Sequence, residues 1–128
     1  MIVDTSAVLA ILFGEPDAER FATAIATASN PRMSAAALLE ASIVLESRSG
    51  PAAGYELDAF IQEAGIKLEA VTAEHAQAAR RAWRRFGKGN HPAGLNFGDC
   101  FAYALAETKR EPLLFKGADF DLTDIKTA

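Results

Sequence analysis

Short apolar runs alternating with helix-patterned stretches predict an α/β fold: a three-layer sandwich with a short-stranded, mainly parallel central sheet and helices on both faces. Strand-like runs recur at Ile2-Val3, Arg32-Met33, Ile66 to Val71 and Leu113 to Phe115, and at least one helical stretch separates each from the next. The breakers Gly14, Pro16, Asn30-Pro31, Gly50-Pro51 and Gly65 fall between the elements rather than inside them. At 128 residues, half of them hydrophobic by type and 23% charged, residues 1–128 are expected to form one domain. Such a chain hides about two-thirds of its unfolded surface and needs no disulfide or structural metal to hold a core.

Ile2-Val3 reads as a strand ending at Asp4, and Thr5-Ser6 lead into a helix from Ala7 to Phe13. Pro16 suits the first turn of a second helix, in which Phe21, Ala22 and Ile25 share one side. After the Arg32-Met33 strand, Ser34 is placed to cap a helix from Ala35 to about Ser49. Leu57, Phe60, Ile61 and Ala64 mark a fourth helix closed by Gly65, and Ile66 to Val71 alternates as a strand does. Thr72 caps a helix that carries a basic cluster. Gly87 to Gly98, with four glycines, a proline and two asparagines, reads as a long loop of the kind that often carries function. Asp99 opens a helix through Lys109, Leu113 to Phe115 is a buried-type strand, and Thr123-Asp124-Ile125 is a candidate edge strand.

Cys100 is the only cysteine, which excludes a disulfide framework and a cysteine-rich zinc module and suits a reducing cytosol. The N-terminus does not resemble a signal peptide, and the longest uncharged apolar run, Thr5 to Gly14, is about half of the roughly 20 residues a bilayer span requires. A cytoplasmic protein without a membrane partner is expected. With 17 acids against 13 bases the net charge is −4, so the surface is not broadly basic. Distribution matters more than the sum: Arg80, Arg81, Arg84, Arg85 and Lys88 fall within nine residues, while several acids stand alone in apolar runs.

Each of those acids has a local explanation. Asp4 and Asp99 precede helices, where aspartate caps free backbone N–H groups. Asp119 follows a Gly-Ala turn, and Glu40 fits a thin exposed stripe shared with Glu46 and Ser47. Their joint placement favours another reading. In an open α/β sheet ligands bind beyond the carboxyl ends of the strands, and both Asp4 and Asp119 fall just after strands. Glu40, near the start of an almost wholly apolar helix, and Asp99, at a helix start, can reach the same crevice. Two carboxylates about 4 Å apart repel by on the order of 4 kcal/mol at an effective dielectric of 20, so such a cluster calls for protons or cations. Mg²⁺ or Mn²⁺, which prefer carboxylate and water oxygens, are the natural counterions.

Four segments carry a family resemblance: Met1-Ile2-Val3-Asp4-Thr5-Ser6-Ala7, Ala37-Leu38-Leu39-Glu40-Ala41-Ser42, Asn96-Phe97-Gly98-Asp99-Cys100-Phe101-Ala102-Tyr103-Ala104-Leu105-Ala106, and Leu113-Leu114-Phe115-Lys116-Gly117-Ala118-Asp119-Phe120. In this order and spacing the chain resembles the PIN-domain ribonucleases, closely the VapC toxins, from Met1 to about Ile125. The resemblance implies a PIN-like α/β/α sandwich and metal-dependent endonucleolytic cleavage of RNA with a 5′-phosphate product. It places the catalytic and metal-holding acids at Asp4, Glu40, Asp99 and Asp119, with Thr5 or Ser6 as a polar neighbour. Asp121 and Asp124 lie near enough to be alternatives for the fourth acid.

The resemblance also implies Mg²⁺ (or Mn²⁺) as cofactor, RNA as substrate, a cognate VapB-like antitoxin, and a homodimer or larger toxin–antitoxin assembly. Leu9, Ile11, Leu12 and Phe13, with Phe21 and Ile25, can supply an apolar groove for the antitoxin's C-terminal segment or belong to the core. Because an acidic pocket repels RNA, Arg80, Arg81, Arg84, Arg85 and Lys88 are the candidate RNA-binding residues. Spacing of four sets Arg80 with Arg84 and Arg81 with Arg85 on adjacent faces of one helix. A solvated basic face whose Trp83 and Phe86 pack inward explains the same pattern. His75 and His91, the only histidines, have contexts that do not support a metal-free histidine-pair nuclease, and Cys100 reads as a small core residue. The rivals are a housekeeping PIN nuclease of RNA processing, a degenerate PIN scaffold that binds without cleaving, and a phospho-aspartate phosphatase-like domain. The last is disfavoured because Ser6 stands where a dehalogenase-type phosphatase would want a second aspartate.

Overall fold

A computed structural model describes residues 1–128. Four short strands, β1 (Ile2–Val3), β2 (Arg32–Ser34), β3 (Lys67–Glu69) and β4 (Leu113–Leu114), form one sheet in the order β3-β2-β1-β4, parallel throughout. Between them run α1 (Thr5–Leu12), α2 (Ala18–Thr27), α3 (Ala35–Ser49), α4 (Ala53–Glu63), α5 (Ala73–Phe86) and α6 (Phe97–Lys109). Parallel pairing forces a crossover after each strand, and helices supply the crossovers here.

The alternation of strand side chains divides the interior into two cores. Val3 and Leu114, paired in register, point with Met33 into a core closed by α1 to α4, including Val8, Phe21, Leu45 and Leu57. Ile2 and Leu113, also paired, point the other way against Leu95, Tyr103, Leu105 and Phe86 of the α5–α6 side. The three-layer α/β/α expectation is met, with both faces of the sheet covered as a parallel sheet requires.

Caps fix where the helices start. Asp4 accepts from the Ser6 N–H, Ser34 from the Ala36 N–H and Thr72 from the His75 N–H. Strand β3 is Lys67–Glu69, shorter than the expected Ile66 to Val71, and three further differences from expectation have a visible cause. Helix α1 begins at Thr5, because Asp4 itself is its cap. Helix α6 begins at Phe97, because Asn96 caps it and Asp99 completes a capping box in its first turn rather than opening the helix. Thr123 to Ile125 is not a strand: the Thr123 hydroxyl donates to the Phe120 carbonyl at 2.7 Å and accepts the Ile125 N–H at 3.2 Å, which holds a turn. The edge of β4 is met one step later, where Leu113 donates to the Lys126 carbonyl and Ala128 to the Leu113 carbonyl, both at 2.9 Å. No helix is long and apolar enough to cross a membrane.

Candidate active site

Asp4 leaves the carboxyl end of β1 and is 4% exposed, one of three buried polar residues in the chain. Its Oδ2 accepts from the Ser6 N–H at 3.0 Å and from the Ser6 hydroxyl at 2.6 Å. The Ser6 hydroxyl in turn accepts the Lys116 N–H at 2.9 Å, so the loop after β4 is fastened to the first acid. Lys116 is anchored by its ammonium, which pairs with Glu15 and with Asp17. Of the two expected polar neighbours it is Ser6 that touches Asp4; the Thr5 hydroxyl is spent on the Ala37 carbonyl at 2.9 Å and ties α1 to α3.

Glu40 is half-buried and its carboxylate lies against the first turn of α6. A Cβ built on Gly98 would stand 1.9 Å from Glu40 Oε2 and 2.6 Å from Cδ. Gly98 is therefore what admits Glu40 to the crevice, and Glu40 is not on a solvent stripe with Ser47. Nothing in the local sequence marks this, since it requires α3 and α6 to be packed together first.

Asp99 sits beside that contact, its carboxylate turned back by the capping box: Asp99 N–H donates to Asn96 Oδ1 at 2.9 Å, and Asn96 N–H to Asp99 Oδ2 at 3.0 Å. Burial, followed by the charges of Asp4, Asp119 and Glu40, pushes its pKa up to about 6 against the pull of the Asn96 N–H. Asp4 is also raised, first by burial and then by Glu40, with the Ser6 contacts opposing. Asp119 is exposed at the entry to a short 3₁₀ turn (Phe120–Leu122) and makes no capping bond.

The four acids thus share one electrostatic site, and Asp124 does not belong to it. Asp124 accepts from the Tyr103 hydroxyl at 2.6 Å and from Arg85 at 3.1 Å, on the α5–α6 side. Burial opposes ionisation there, but Tyr103 and Arg85 together hold the Asp124 carboxyl below the usual carboxylate range. Asp121 is exposed.

No ion pair in the molecule involves Asp4, Glu40, Asp99 or Asp119. Four carboxylates without a basic partner, two of them with raised affinity for a proton, are a donor set suited to a hard divalent cation. As they stand, no three of the side chains close into a coordination cage.

The basic cluster is split by its partners. Arg81 pairs with Glu107 at 3.7 Å and Arg85 with Asp124 at 3.1 Å, whereas Arg80 bonds only Gln77 at 3.2 Å and neither Arg84 nor Lys88 has an ionic partner. Phe86 is buried, but Trp83 is half exposed, so the expectation that both aromatics pack inward holds only for Phe86. His91 accepts the Ala93 N–H on Nδ1 and meets Phe86 edge to face, a structural role in the loop. Cys100 is buried, as expected, and burial raises its thiol to about 11. In the expected antitoxin groove, Phe21 and Ile25 are core residues, while Leu9, Ile11, Leu12 and Phe13 are only partly buried against that core.

A parallel α/β/α sandwich with carboxylates gathered beyond the carboxyl ends of its strands defines a class, the acidic-crevice α/β proteins. Within that class the chain belongs to the PIN-domain family, whose model matches residues 1–126. It is 54% identical to the Ribonuclease VapC of Mycolicibacterium smegmatis, over 98% of this chain and 97% of that protein. It is 52% identical to the Ribonuclease VapC30 of Mycobacterium tuberculosis, over 99% and 97% respectively. The fold matches the crystal structure of Mycobacterium tuberculosis VapC20, a Sarcin-Ricin loop cleaving toxin, with a TM-score of 0.80 at 20% identity, covering 99% of this chain and 97% of that one.

Proposed function

We propose that this chain is the ribonuclease toxin of a type II toxin–antitoxin pair, a single-domain endonuclease that hydrolyses RNA phosphodiester bonds with Mg²⁺ or Mn²⁺. One observation carries the reading: the charges of Asp4, Glu40 and Asp119 converge on Asp99 with no base to neutralise them. Kinship with VapC ribonucleases supports the same substrate class.

Asp4, Glu40 and Asp99 hold the cation, directly or through water, and Asp119 completes the site or orients a water. When bound, the cation supplies a water of lowered pKa and a partner for negative charge on the phosphoryl oxygens. Ser6 fixes the rotamer of Asp4, and the capping box fixes that of Asp99, so both are aimed before substrate arrives. Arg80, Arg84 and Lys88 remain available to hold RNA phosphates, with Arg81 and Arg85 engaged in exposed pairs that phosphate can compete for. In the cytoplasm a VapB-like antitoxin covers the partly buried Leu9, Ile11, Leu12 and Phe13, and the toxin works as a dimer or within a larger assembly.

Cleavage of a structured RNA, with and without EDTA, by wild type, Asp4→Asn and Asp99→Asn tests this. Loss of 5′-phosphate products in EDTA and in both variants is expected; cleavage that survives chelation and both substitutions rejects the site.

A further inference from the structure

Helices α5 and α6 enclose a groove of about 540 Å³, within the roughly 300–1,000 Å³ range of small-ligand clefts. Trp83, Phe97, Phe101 and Cys100 line it, and Arg80 and Arg84 stand on its α5 wall. Phe97 is 81% exposed, the most exposed large apolar side chain in the molecule, and Trp83 is 50% exposed. Phe97 and Phe101 meet edge to face with ring centres 4.9 Å apart. None of the hydrophobic work of folding needs Phe97 in water, and an exposed aromatic patch of this kind marks a binding surface.

Three further features select the occupant. The groove opens at the first turn of α6, where Phe97 and Asp99 stand about 200° apart around the helix axis, so a strand leaving the groove reaches the acids by passing over the N-terminus of that helix. Of the four arginines of α5, the two that line the groove are those that no carboxylate engages, while Arg81 and Arg85 next to them are paired. No acid lines the groove, so nothing in its walls repels phosphate.

Resting on the ribonuclease reading, we propose that this groove is a nucleobase subsite. It takes one unpaired base of a single-stranded RNA segment between Trp83 and the Phe97–Phe101 pair, with Arg80 and Arg84 on the flanking phosphates. Aromatic faces accept any base, and guanidinium groups track the backbone; together they hold an anionic strand outside the repelling acidic pocket. The subsite selects for looped or unpaired RNA, since a base held in a duplex cannot enter.

Trp83 is the only tryptophan and therefore reports on the groove directly. Its fluorescence is titrated in EDTA, where no cleavage is expected, with a short single-stranded RNA of mixed sequence and with an abasic ribose-phosphate strand of equal length. The RNA should quench the emission and the abasic strand should bind more weakly without quenching. Phe97→Ala and Trp83→Ala should each raise the Kd for the RNA by roughly five- to a hundredfold, and Phe97→Tyr should restore it. In the Mg²⁺ cleavage assay Phe97→Ala should raise KM with kcat little changed. Should Trp83→Ala fail to fold, Phe97→Ala, at a side chain already in solvent, carries the test alone. Equal quenching by the abasic strand, or an unchanged Kd in Phe97→Ala, overturns the subsite. So does a Trp83 emission that follows protein concentration in step with sedimentation and ignores RNA, which assigns the groove to a second copy of the chain. Wild type that binds and is quenched but never cleaves rejects the ribonuclease reading and leaves the subsite standing; cleavage unaffected by Phe97→Ala rejects the subsite alone.

Discussion

The Ser6 hydroxyl donates to Asp4 Oδ2 at 2.6 Å while it accepts the backbone N–H of Lys116 at 2.9 Å, so one side chain joins the β1 acid to the loop that carries Asp119. Removing that hydroxyl in Ser6→Ala frees the Asp4 carboxylate to rotate and loosens the loop. Loss of an outer partner of this kind typically costs ten- to a hundredfold in metal affinity or activity, whereas the stability cost of one such hydrogen bond is about 1 kcal/mol. A Mg²⁺ titration of the cleavage rate should move its midpoint upward by about tenfold or more. An unmoved midpoint would mean that the backbone N–H of Ser6 alone orients Asp4.

Gly98→Ala separates activity from stability. Alanine is the better helix former by about 1 kcal/mol, so the helix itself gains. Yet the added methyl falls on the Glu40 carboxylate, which is a flexible chain end and swings out of the crevice at little cost to the fold. Cleavage should drop by at least about tenfold, the usual penalty for a displaced ligand group, with the melting temperature unchanged or higher. Retained activity would show that Glu40 acts from another rotamer.

These two positions show where sequence legibility stops. The caps Asp4, Ser34 and Thr72 are legible because each bonds an N–H two or three residues on. The sheet is legible because its strands are apolar islands between breakers. Gly98 and the Lys116 backbone act across 58 and 110 residues of chain, counted from Glu40 and Ser6, and have no local signature. Trp83 is an intermediate case: the buried stripe of α5 is Ala78, Ala82 and Phe86 at spacings of four, and Trp83 falls about 100° off it. That offset is visible in the sequence, but an aromatic type argues for burial more loudly than its phase argues against it. Sequence leaves Asp124 an alternative fourth acid, because the partners that remove it from the site, Tyr103 and Arg85, lie on two other elements.

Asp99→Asn should stabilise the metal-free protein while abolishing cleavage. The carboxylate is pushed up to about 6 by burial and by three like charges, so at neutral pH its ionised form opposes folding. Asparagine keeps an oxygen for the Asn96 N–H and removes the charge. With the shift discounted for solvent screening, the gain is about 1 kcal/mol, or roughly 4 °C in melting temperature. In EDTA the variant should melt above wild type, and added Mg²⁺ should raise wild type but not the variant. A variant that melts lower in EDTA would show that its charge is not repelled in the fold.

Asp119 and Asp124 should part company in both activity and acid stability. Asp119→Asn should lower cleavage by about tenfold or more, as loss of a group that completes a metal site does, while Asp124→Asn should cleave like wild type. Asp124 instead contributes stability, because Tyr103 and Arg85 favour its ionised form. A carboxyl with a depressed folded pKa releases its proton more readily in the native state than in the unfolded one. Its contribution is therefore complete above the ordinary value of 3.8 and is lost as pH falls through the lower folded value. Half exposed and screened, the Arg85–Asp124–Tyr103 cluster is worth about 1 kcal/mol. Melting curves of Asp124→Asn should lie about 4 °C below wild type at neutral pH and converge on it only as pH falls from 3.8 through the lower folded value. Cleavage lost in Asp124→Asn and retained in Asp119→Asn would reverse the assignment and make Asp124 the fourth acid.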